Sequence, residues 1–345
     1  MSLPFIPKKN KSVSCFPCLQ TYYTRSYYMK TKAFYLLFIG LLLFGMNQNK
    51  DIVQAEHIPI TENTFPDKSF RDFILANIDK NRDGILSDRE ISKTVKLKLS
   101  YKDLAYGRGM STEANFQGIE YFNNLQDLEI DADELSQYSE LGDEGCEMAL
   151  DIQVDLSKNK KIKRFFCRAG SVEGLDLSQH HQLQDIYLYT VWDQNYPVQD
   201  LSKHTNLKKV HVGENVILPK KLPQLTEFEY FGKTKCKFNV NNSKKLKKLI
   251  CSYSPLPKPN FSKLKNLTYL DCSGNRWGKL NLSKNTKLKE LYCNDCKLTS
   301  LRLPKNAKLS VLFCRNNKLK KLNLKKVKVQ ALFKEGNKKI KVYYK

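Results

Sequence analysis

The chain repeats a short pattern of apolar and polar positions whose first, fourth and sixth residues are leucine or another apolar residue. Alternate residues of a β-strand share a face, so we expect these apolar positions to point inward. In four successive copies the sixth residue is a cysteine, and the step between copies is 21 residues: Cys251, Cys272, Cys293 and Cys314. A fixed period near 20 residues predicts a solenoid, because one turn cannot bury its own apolar side and must stack on another.

The same pattern can be followed along most of the chain with small changes in spacing. Ten copies begin at Leu125, Ile162, Leu183, Leu207, Leu225, Leu246, Leu267, Leu288, Leu309 and Val329. The 37-residue step after the first copy indicates an acidic insertion at about 131–156, and Val95–Leu99 has the alternation of an earlier strand. We therefore predict an α/β solenoid over 95–345, with about ten turns (rungs) of roughly 21 residues and a small helical module at 56–94.

The ten cysteines raise the question of disulfides or metal binding. Cys167 and the four periodic cysteines all take the inward sixth position, where a thiol acts as a small hydrophobic group. Stacked rungs would place them about 4.8 Å apart, and we predict a reduced cysteine ladder. Cys296, three residues after Cys293, takes the slot that Asn275 and Asn317 occupy in other copies. No second pair stands at a spacing suitable for zinc.

The N-terminal region has the three parts of a secretory signal peptide. A basic stretch starts at Met29, 14 apolar residues run to Met46, and a polar run ends in a small-residue motif at Ala55. The apolar run is shorter than the ~20 residues of a membrane-spanning helix, although a short membrane anchor is the alternative. We predict a signal peptide at 29–55 and secretion, with no transmembrane anchor after processing. Residues 1–28 are interpreted as a start-site error or a disordered extension.

A calcium-binding loop is predicted between two short helices. The stretch Asp79–Glu90 matches the twelve-residue EF-hand loop at each ligand position, with Gly84 at the sharp turn. The predicted ligands are Asp79, Asn81, Asp83, Ile85 through its carbonyl, Ser87 and Glu90. One helix is expected after Pro66 and another from about Asp88 to Thr94. A single loop should bind calcium weakly, with a Kd of about 10⁻⁴–10⁻³ M; the alternative is a helical cap without calcium.

Two parts of the chain resemble a known family. Rungs such as Leu282–Cys293, together with the segment from Phe65 to Leu125, resemble secreted Firmicutes leucine-rich-repeat proteins with an N-terminal EF-hand-like calcium loop. The repeat resemblance covers about 95–345. It implies a leucine-rich-repeat solenoid whose first open end is covered by the N-terminal module. It also implies that the side chains of the loop 79–90 bind calcium and hold this cap in place.

Charge is distributed very unevenly along the chain. The formal net charge is +24 overall, but residues 244–345 hold 25 Lys and 3 Arg against 2 Asp and 2 Glu, whereas 56–155 hold 10 basic and 22 acidic residues. The lysine-rich half predicts attraction to an anionic polymer such as teichoic acid, a glycosaminoglycan or a nucleic acid. The alternative is a lysine-rich surface that only keeps the protein soluble.

Aromatic residues recur at positions expected to face outward from the concave strand face. The candidate contact residues are Phe166, Tyr187, His211, Tyr269, Tyr292, Phe313 and Phe333. Exposed aromatic side chains in register on a sheet are typical of a contact surface. Strand packing alone also favours aromatic residues, so the pattern leaves both interpretations open.

No nucleophile or zinc motif surrounds any of the five histidines, and we predict that the protein is not an enzyme and has no small-molecule substrate. The first hypothesis is a secreted or cell-surface protein that binds an extracellular protein or host surface component through its strand face, with a calcium-stabilised cap. The second is a protein retained in the cell wall through electrostatic binding of an anionic polymer. Salt separates the two, because polymer binding should weaken steeply with ionic strength.

Overall fold

The computed structural model describes residues 57–105, 113–133, 149–190 and 196–344. The predicted signal peptide at 29–55 and the segment 1–28 lie outside the described residues, as does the central part of the acidic insertion. At the ends of that insertion, Asp133 pairs with Ala149 in an isolated antiparallel bridge. The two described ends of the insertion therefore lie side by side.

The described residues form a solenoid built on one parallel sheet of eleven strands. The strands are Lys96–Ser100, Asp127–Asp131, Arg164–Ala169, Asp185–Thr190, Lys209–Val212, Glu227–Tyr230, Lys248–Ile250, Tyr269–Asp271, Glu290–Tyr292, Lys308–Phe313 and Lys328–Phe333. Each strand pairs in parallel with the strand of the preceding rung, so that Leu249, Leu270 and Leu291 are neighbours. The predicted solenoid is confirmed, including the early strand expected near Val95–Leu99.

The inward positions of this main sheet fill one continuous core. Leu270 and Cys272 are 0% exposed, and the equivalent residues of neighbouring rungs are buried in the same way. Full burial of one leucine side chain contributes roughly 1.5–3 kcal/mol. Because the partners of each inward side chain come from the rungs above and below, no rung buries this surface alone.

All seven cysteines of the described ranges are buried, and none of them forms a disulfide. Burial raises the pKa of the Cys314 thiol to about 12 and that of Cys236 to about 11. The periodic cysteines therefore act as core side chains, as predicted. At the bend after the strand, Asn317 Nδ2 donates to the carbonyls of Cys293 and Cys314 at 2.8 and 3.0 Å, and Cys296 takes the corresponding slot one rung earlier.

The return side of the solenoid consists of short strands and single turns of 3₁₀ helix. The strands are Glu113–Asn115 with Asp151–Gln153 and Val172–Glu173, Gln199–Asp200 with Val216–Ile217, Lys279–Asn281 with Ser300–Arg302, and Lys321–Asn323 with Lys341–Tyr343. The 3₁₀ turns are Ile119–Tyr121, Val240–Asn242 and Phe261–Lys263. These connections are short, so the strands of successive rungs stay in register.

A small helical module occupies the N-terminal part of the described chain, with two helices before the first strand of the main sheet and one after it. Its helices are Lys68–Asn77, Asp88–Lys93 and Tyr101–Ala105, and Ile58–Pro59 pairs antiparallel with Ile85–Leu86. The first helix begins where predicted, because the Asp67 side chain accepts the Phe70 N–H at 2.9 Å and so caps its N-terminus. The Phe70 ring packs against Phe116 with centroids 5.1 Å apart. The module is therefore joined to the first rungs by aromatic packing.

Candidate binding face and calcium loop

Outward side chains of the main sheet form columns, because the parallel register places equivalent positions of successive rungs side by side. One column alternates in charge over seven consecutive strands, and we call it the charge ladder: Lys96, Asp127, Arg164, Asp185, Lys209, Glu227 and Lys248. Opposite charges directly across a strand pair are favourable. The first half of the outward face therefore pairs its own charges.

Distances show ion pairs within the charge ladder and between it and the neighbouring residues Lys98 and Glu129. Arg164 Nη1 lies 2.8 Å from Asp127 Oδ1 and 3.0 Å from Glu129 Oε2, while Lys98 Nζ lies 2.8 Å from Glu129 Oε1. Burial alone would raise the pKa of the Glu129 carboxyl, but hydrogen bonds from Lys98 and Arg164 outweigh it and hold the pKa below its usual value. Exposed pairs contribute only about 0–1 kcal/mol each. Their main effect is to neutralise this part of the face.

An aromatic group, here called the N-terminal aromatic cluster, lies beside these charges: Phe166, Tyr187, Tyr189, His211 and Phe231. The Tyr187 and His211 rings are 4.4 Å apart between centroids, and Tyr189 stacks on Phe231 at 5.0 Å. Arg168 lies 5.6 Å from the Phe166 centroid, a cation–π distance. The rings of this cluster are therefore held in place by one another and by arginine.

His211 lies in the predicted column but is only 5% exposed. Its Nδ1 is 2.6 Å from Glu229 Oε2, and the Tyr189 hydroxyl donates to the same carboxylate at 3.1 Å. Burial would raise the pKa of Glu229, but the hydrogen bond from His211 and the other groups outweigh it and lower that pKa. The histidine predicted as a contact residue thus supports the neighbouring rings rather than offering a surface of its own.

A second aromatic group, here called the aromatic stripe, spans the C-terminal rungs: Tyr269, Tyr292, Phe313 and Phe333. Ring centroids are 5.4 Å apart for Tyr269 and Tyr292, 5.1 Å for Tyr292 and Phe313, and 4.0 Å for Phe313 and Phe333. The rings of the last two pairs are nearly parallel and stacked, at interplanar angles of 14° and 10°. All four side chains are half-buried. The structure therefore brings these predicted residues together: Tyr292, Phe313 and Phe333 form one stack, and Tyr269 packs against its end at a tilt of 33°.

One column of outward positions begins with Phe166 and Tyr187 and ends with Phe313 and Phe333. In this column Glu229, Ile250 and Asp271 lie between the two aromatic groups. Tyr189 and Phe231, which belong to the first group, were missed by sequence reasoning, as was the whole charge ladder. Tyr189 and Phe231 each lie two residues beyond the fifth position of their rung, on the same strand face. Reading the third and seventh positions along the repeats would have found the alternating charges and these two rings.

The predicted calcium loop folds as a turn between the first two helices. The Asp79 side chain is almost fully buried and accepts the backbone N–H groups of Arg82 and Gly84 at 2.7 and 2.9 Å. Asn81 Nδ2 donates to Asp83 Oδ2 at 2.8 Å. Gly84 has φ +76°, a conformation that favours glycine. The first half of the loop thus has the expected sharp turn with its oxygen-bearing side chains close together.

Glu90 closes the second half of the loop. Its Oε1 accepts the Lys80 N–H at 2.7 Å, and its Oε2 accepts the Ser87 N–H at 3.0 Å. Burial would raise the pKa of Glu90, but the hydrogen bonds from Ser87 and the loop backbone outweigh it and lower that pKa. The donors suit calcium in chemical type. In the described parts of the chain, however, no three His, Cys, Asp or Glu residues are grouped as metal ligands.

The fold has known counterparts. The functional domain of InlJ from Listeria monocytogenes, a structure described as including a cysteine ladder, matches with a TM-score of 0.57 and 19% sequence identity, covering 83% of this chain and 63% of that chain. Listeria monocytogenes InlP matches with a TM-score of 0.38 and 16% identity, covering 81% of this chain and 71% of the other. No protein-family model matches the chain, and no curated protein does.

These findings define the class of fold: the chain is a leucine-rich-repeat solenoid of the kind seen in the internalins. It spans less than two thirds of the InlJ domain that it matches. Within the residues that the structure describes, no helix is both long enough and apolar enough to cross a membrane.

Proposed function

We propose that this protein is an exported binding protein that recognises an extracellular protein through the outward face of its main sheet. The observation that carries the proposal is the aromatic stripe, in which the half-buried rings of Tyr292, Phe313 and Phe333 stack in register across consecutive rungs and Tyr269 packs beside Tyr292. Aromatic residues are enriched among the side chains that dominate binding energy at protein interfaces. The rigid strands hold these rings in place before binding, which lowers the entropic cost of association.

The charge pattern of the face supports the same proposal. The charge ladder neutralises itself through pairs such as Lys209 Nζ with Glu227 Oε1 at 3.1 Å. Charges that are already paired within the face lose less hydration when a partner covers them, and they can still orient that partner. The outward columns run across a sheet of eleven strands, and an extended surface of this kind suits a protein partner better than a small molecule.

Export and calcium binding are further parts of this proposal. Export rests on the basic, apolar and small-residue order of 29–55, and N-terminal sequencing of the secreted protein tests it: the mature chain should begin at Glu56. Calcium binding rests on the oxygen donors of the loop 79–90 and its sharp turn at Gly84. In this proposal Asp79, Asn81 and the other loop donors hold the ion and keep the helical module closed on the first rungs.

Site-directed variants test the binding face. The mature chain, with Tyr292→Ala and Phe313→Ala combined, should lose capture of its partner from extracellular-matrix or bacterial-wall fractions. A second double variant, Phe166→Ala with Tyr187→Ala, tests the N-terminal aromatic cluster in the same assay. Lys284→Ala, on the return side of the solenoid, is the control and should keep the wild-type level. If both face variants captured the same partner as the wild type, the outward face would not be the binding surface.

A second candidate function is electrostatic binding of an anionic polymer. It is favoured by the lysines of 244–344, which are exposed at positions such as Lys284, Lys305 and Lys325, on rungs with few acidic residues. Lysines repeated from rung to rung in this way attract polyanions over a distance that the ionic strength sets. The two functions use different sides of the solenoid and can be tested separately.

A further inference from the structure

The bend that leads into each strand of the main sheet contains a column in which lysines and side-chain amides alternate. Over four successive rungs, each 21 residues from the next, the column reads Gln224, Lys245, Asn266 and Lys287. Each lysine donates to the amide of the preceding rung: Lys245 Nζ lies 2.6 Å from Gln224 Oε1, and Lys287 Nζ lies 2.8 Å from Asn266 Oδ1. The amides therefore keep the lysines of this column two rungs apart.

The last rungs break this alternation. Lys308 follows Lys287 by 21 residues, and Lys308 is directly opposite Lys328 in the register of the main sheet. Neither Lys308 nor Lys328 has a side-chain hydrogen bond or an ion pair with another described residue. Like charges directly opposite each other on paired strands are unfavourable. The column thus ends in three adjacent lysines with no amide between them.

A second column of lysines lies in the same three bends, three residues before the first. All six side chains are exposed. Neighbouring strands of a sheet are about 4.8 Å apart, so two lysines recur at each of three closely spaced steps. We call these residues the lysine row: Lys284, Lys287, Lys305, Lys308, Lys325 and Lys328.

The acidic residues of these rungs lie away from the lysine row. Between residues 272 and 334 the only acids are Glu290 and Asp295. Glu290 is on the outward strand face, where its Oε2 is 3.4 Å from the Tyr292 hydroxyl. Asp295 lies in the bend after the strand and accepts from the Tyr253 hydroxyl at 3.1 Å. The lysine row therefore differs from the charge ladder, in which each basic residue has an acidic neighbour.

The residue types of the row indicate which polyanion it suits. The stretches 282–289, 303–308 and 323–328 contain no aromatic residue and no arginine. Single-stranded nucleic acids are held by bases that stack on aromatic rings, and arginine is the residue that binds anions through a planar, bidentate fork. Lysine binds phosphate as a point charge. A phosphate chain carries a charge on each unit of its backbone, which fits a row that repeats its charge at each rung.

We infer that the lysine row binds a linear phosphate chain without bases, which runs from rung to rung along the solenoid. This inference rests on the second candidate function, electrostatic binding of an anionic polymer. Phosphate groups would lie between neighbouring lysines, as the amides of Gln224 and Asn266 do in the earlier rungs, and so relieve their repulsion. The row lies in the bends before the strands and is separate from the aromatic stripe on the outward face.

Soluble probes of defined chemistry test the inference. They are long-chain inorganic polyphosphate, tripolyphosphate, oligothymidylate and heparin, compared at equal concentration of charged groups. Isothermal titration calorimetry measures their binding to the mature protein at low and at physiological salt. Long-chain polyphosphate should bind about tenfold or more tightly than tripolyphosphate, because a chain that contacts three rungs gains from each linked contact. It should also bind more tightly than oligothymidylate and heparin.

Two matched variants locate the interaction. The row variant changes one lysine in each of the three bends: Lys287→Gln, Lys308→Gln and Lys328→Gln. It should weaken polyphosphate binding about tenfold or more and lower the slope of log Kd against log salt by about 2, since each lost phosphate contact removes roughly 0.7.

The control variant removes the same charge from the bends after the same strands, where the lysines are also exposed: Lys297→Gln, Lys318→Gln and Lys338→Gln. It should keep polyphosphate affinity within about threefold of the wild type, because charges away from the bound chain are largely screened. Circular dichroism confirms that both variants keep the wild-type fold.

The outcomes separate this inference from the function on which it rests. If the control variant weakened polyphosphate binding as much as the row variant, net charge would account for the attraction and the row would not be a site, although the second candidate function would stand. Equal binding of tripolyphosphate and long-chain polyphosphate would contradict a chain that spans rungs. If heparin or oligothymidylate bound more tightly and lost affinity in the row variant, the assignment to phosphate chains without bases would be overturned. If no probe bound at low salt, both the inference and the second candidate function would fail.

Discussion

A single position on the return side of the solenoid is filled by asparagine in some rungs and by histidine in others. Asn159 Nδ2 donates to the carbonyls of Ile119 and Phe122 at 2.9 and 3.0 Å, and Asn285 makes the equivalent pair of bonds. His180 and His204 take this position in the intervening rungs. His180 Nε2 lies 3.1 Å from the Leu156 carbonyl oxygen, and neither ring nitrogen of His204 has a hydrogen-bond partner. The histidines therefore satisfy the site less completely than asparagine.

These two histidines predict a loss of stability in mild acid. Burial lowers the pKa of His180 and of His204, and neighbouring Lys160 and His181 act in the same direction. The unfolded chain, whose histidines titrate near pH 6.5, then binds more protons than the folded chain. The free energy of unfolding therefore keeps its full value above about pH 6.5. It decreases as the pH falls below that value, by up to about 1.4 kcal/mol per pH unit for each histidine.

Substitution by the asparagine of the neighbouring rungs should remove this pH dependence. Urea unfolding of the mature protein at pH 5.5 and pH 7.5 measures it directly. The double variant His180→Asn with His204→Asn should lose much less stability at pH 5.5 than the wild type does. The reverse change, Asn285→His, should add to the loss. Equal pH slopes in all three proteins would mean that these buried positions do not control acid stability.

The helical module and its loop form the element whose behaviour calcium should change. Glu90 has two roles in the loop, because it completes the capping box with Ser87 and accepts the Lys80 N–H. Its carboxylate is also the expected bidentate ligand at the last position of the loop. Calcium would have to draw this carboxylate from its backbone partners, which is consistent with weak binding by a single loop.

Calcium should raise the melting temperature of the mature protein. A ligand that binds only the folded state adds RT ln(1 + [L]/Kd), about 1.4 kcal/mol at ten times Kd. Asp79→Ala should abolish the increase. Glu90→Gln removes a ligand charge and keeps one acceptor oxygen where the carboxylate uses two for Lys80 and Ser87, so it should abolish the increase and also lower the baseline stability. Differential scanning calorimetry in calcium and in EDTA provides the measurement, and an undiminished increase in both variants would place calcium elsewhere.

At the scale of the whole molecule, the segments 56–155 and 244–345 carry opposite net charge. Residues 56–155 have 12 more acidic than basic side chains, and 244–345 have 24 more basic than acidic ones. The lysine-rich rungs expose these charges on the return side and at the bends, for example at Lys284, Lys305 and Lys325. Charge repeated at each rung produces a positive field that extends along the C-terminal part of the solenoid.

Binding to a polyanion such as heparin or teichoic acid should therefore depend strongly on salt. Fields are screened within about 8 Å at physiological ionic strength, so affinity should fall steeply between 50 mM and 500 mM salt. The triple change to glutamate at Lys284, Lys305 and Lys325 should weaken binding at low salt, whereas Tyr292→Ala with Phe313→Ala should leave it nearly unchanged. Surface plasmon resonance follows both effects. Absence of polyanion binding at low salt would leave solubility as the role of these lysines.

The sequence by itself determined the parts of this protein that depend on local, repeated patterns. The 21-residue period predicted stacked rungs, the inward sixth position predicted buried cysteines, and the sequence predicted one helix after Pro66 and another from about Asp88 to Thr94. Each of these predictions follows from the alternation of a strand or the capping of a helix, and an error of one or two residues in an element boundary does not change it. The outward aromatic column was predicted for the same reason.

Tertiary structure alone decided which outward side chains meet. Arg164 pairs with Asp127 across 37 residues of sequence, and His211 reaches Glu229 across 18, because insertions change the step between rungs while the sheet restores the register. The burial of His211 and the face-to-face stacking of the stripe depend on rings contributed by neighbouring rungs. Local patterns indicate that a side chain points outward, but only the packed sheet determines whether it meets solvent, an opposite charge or another ring.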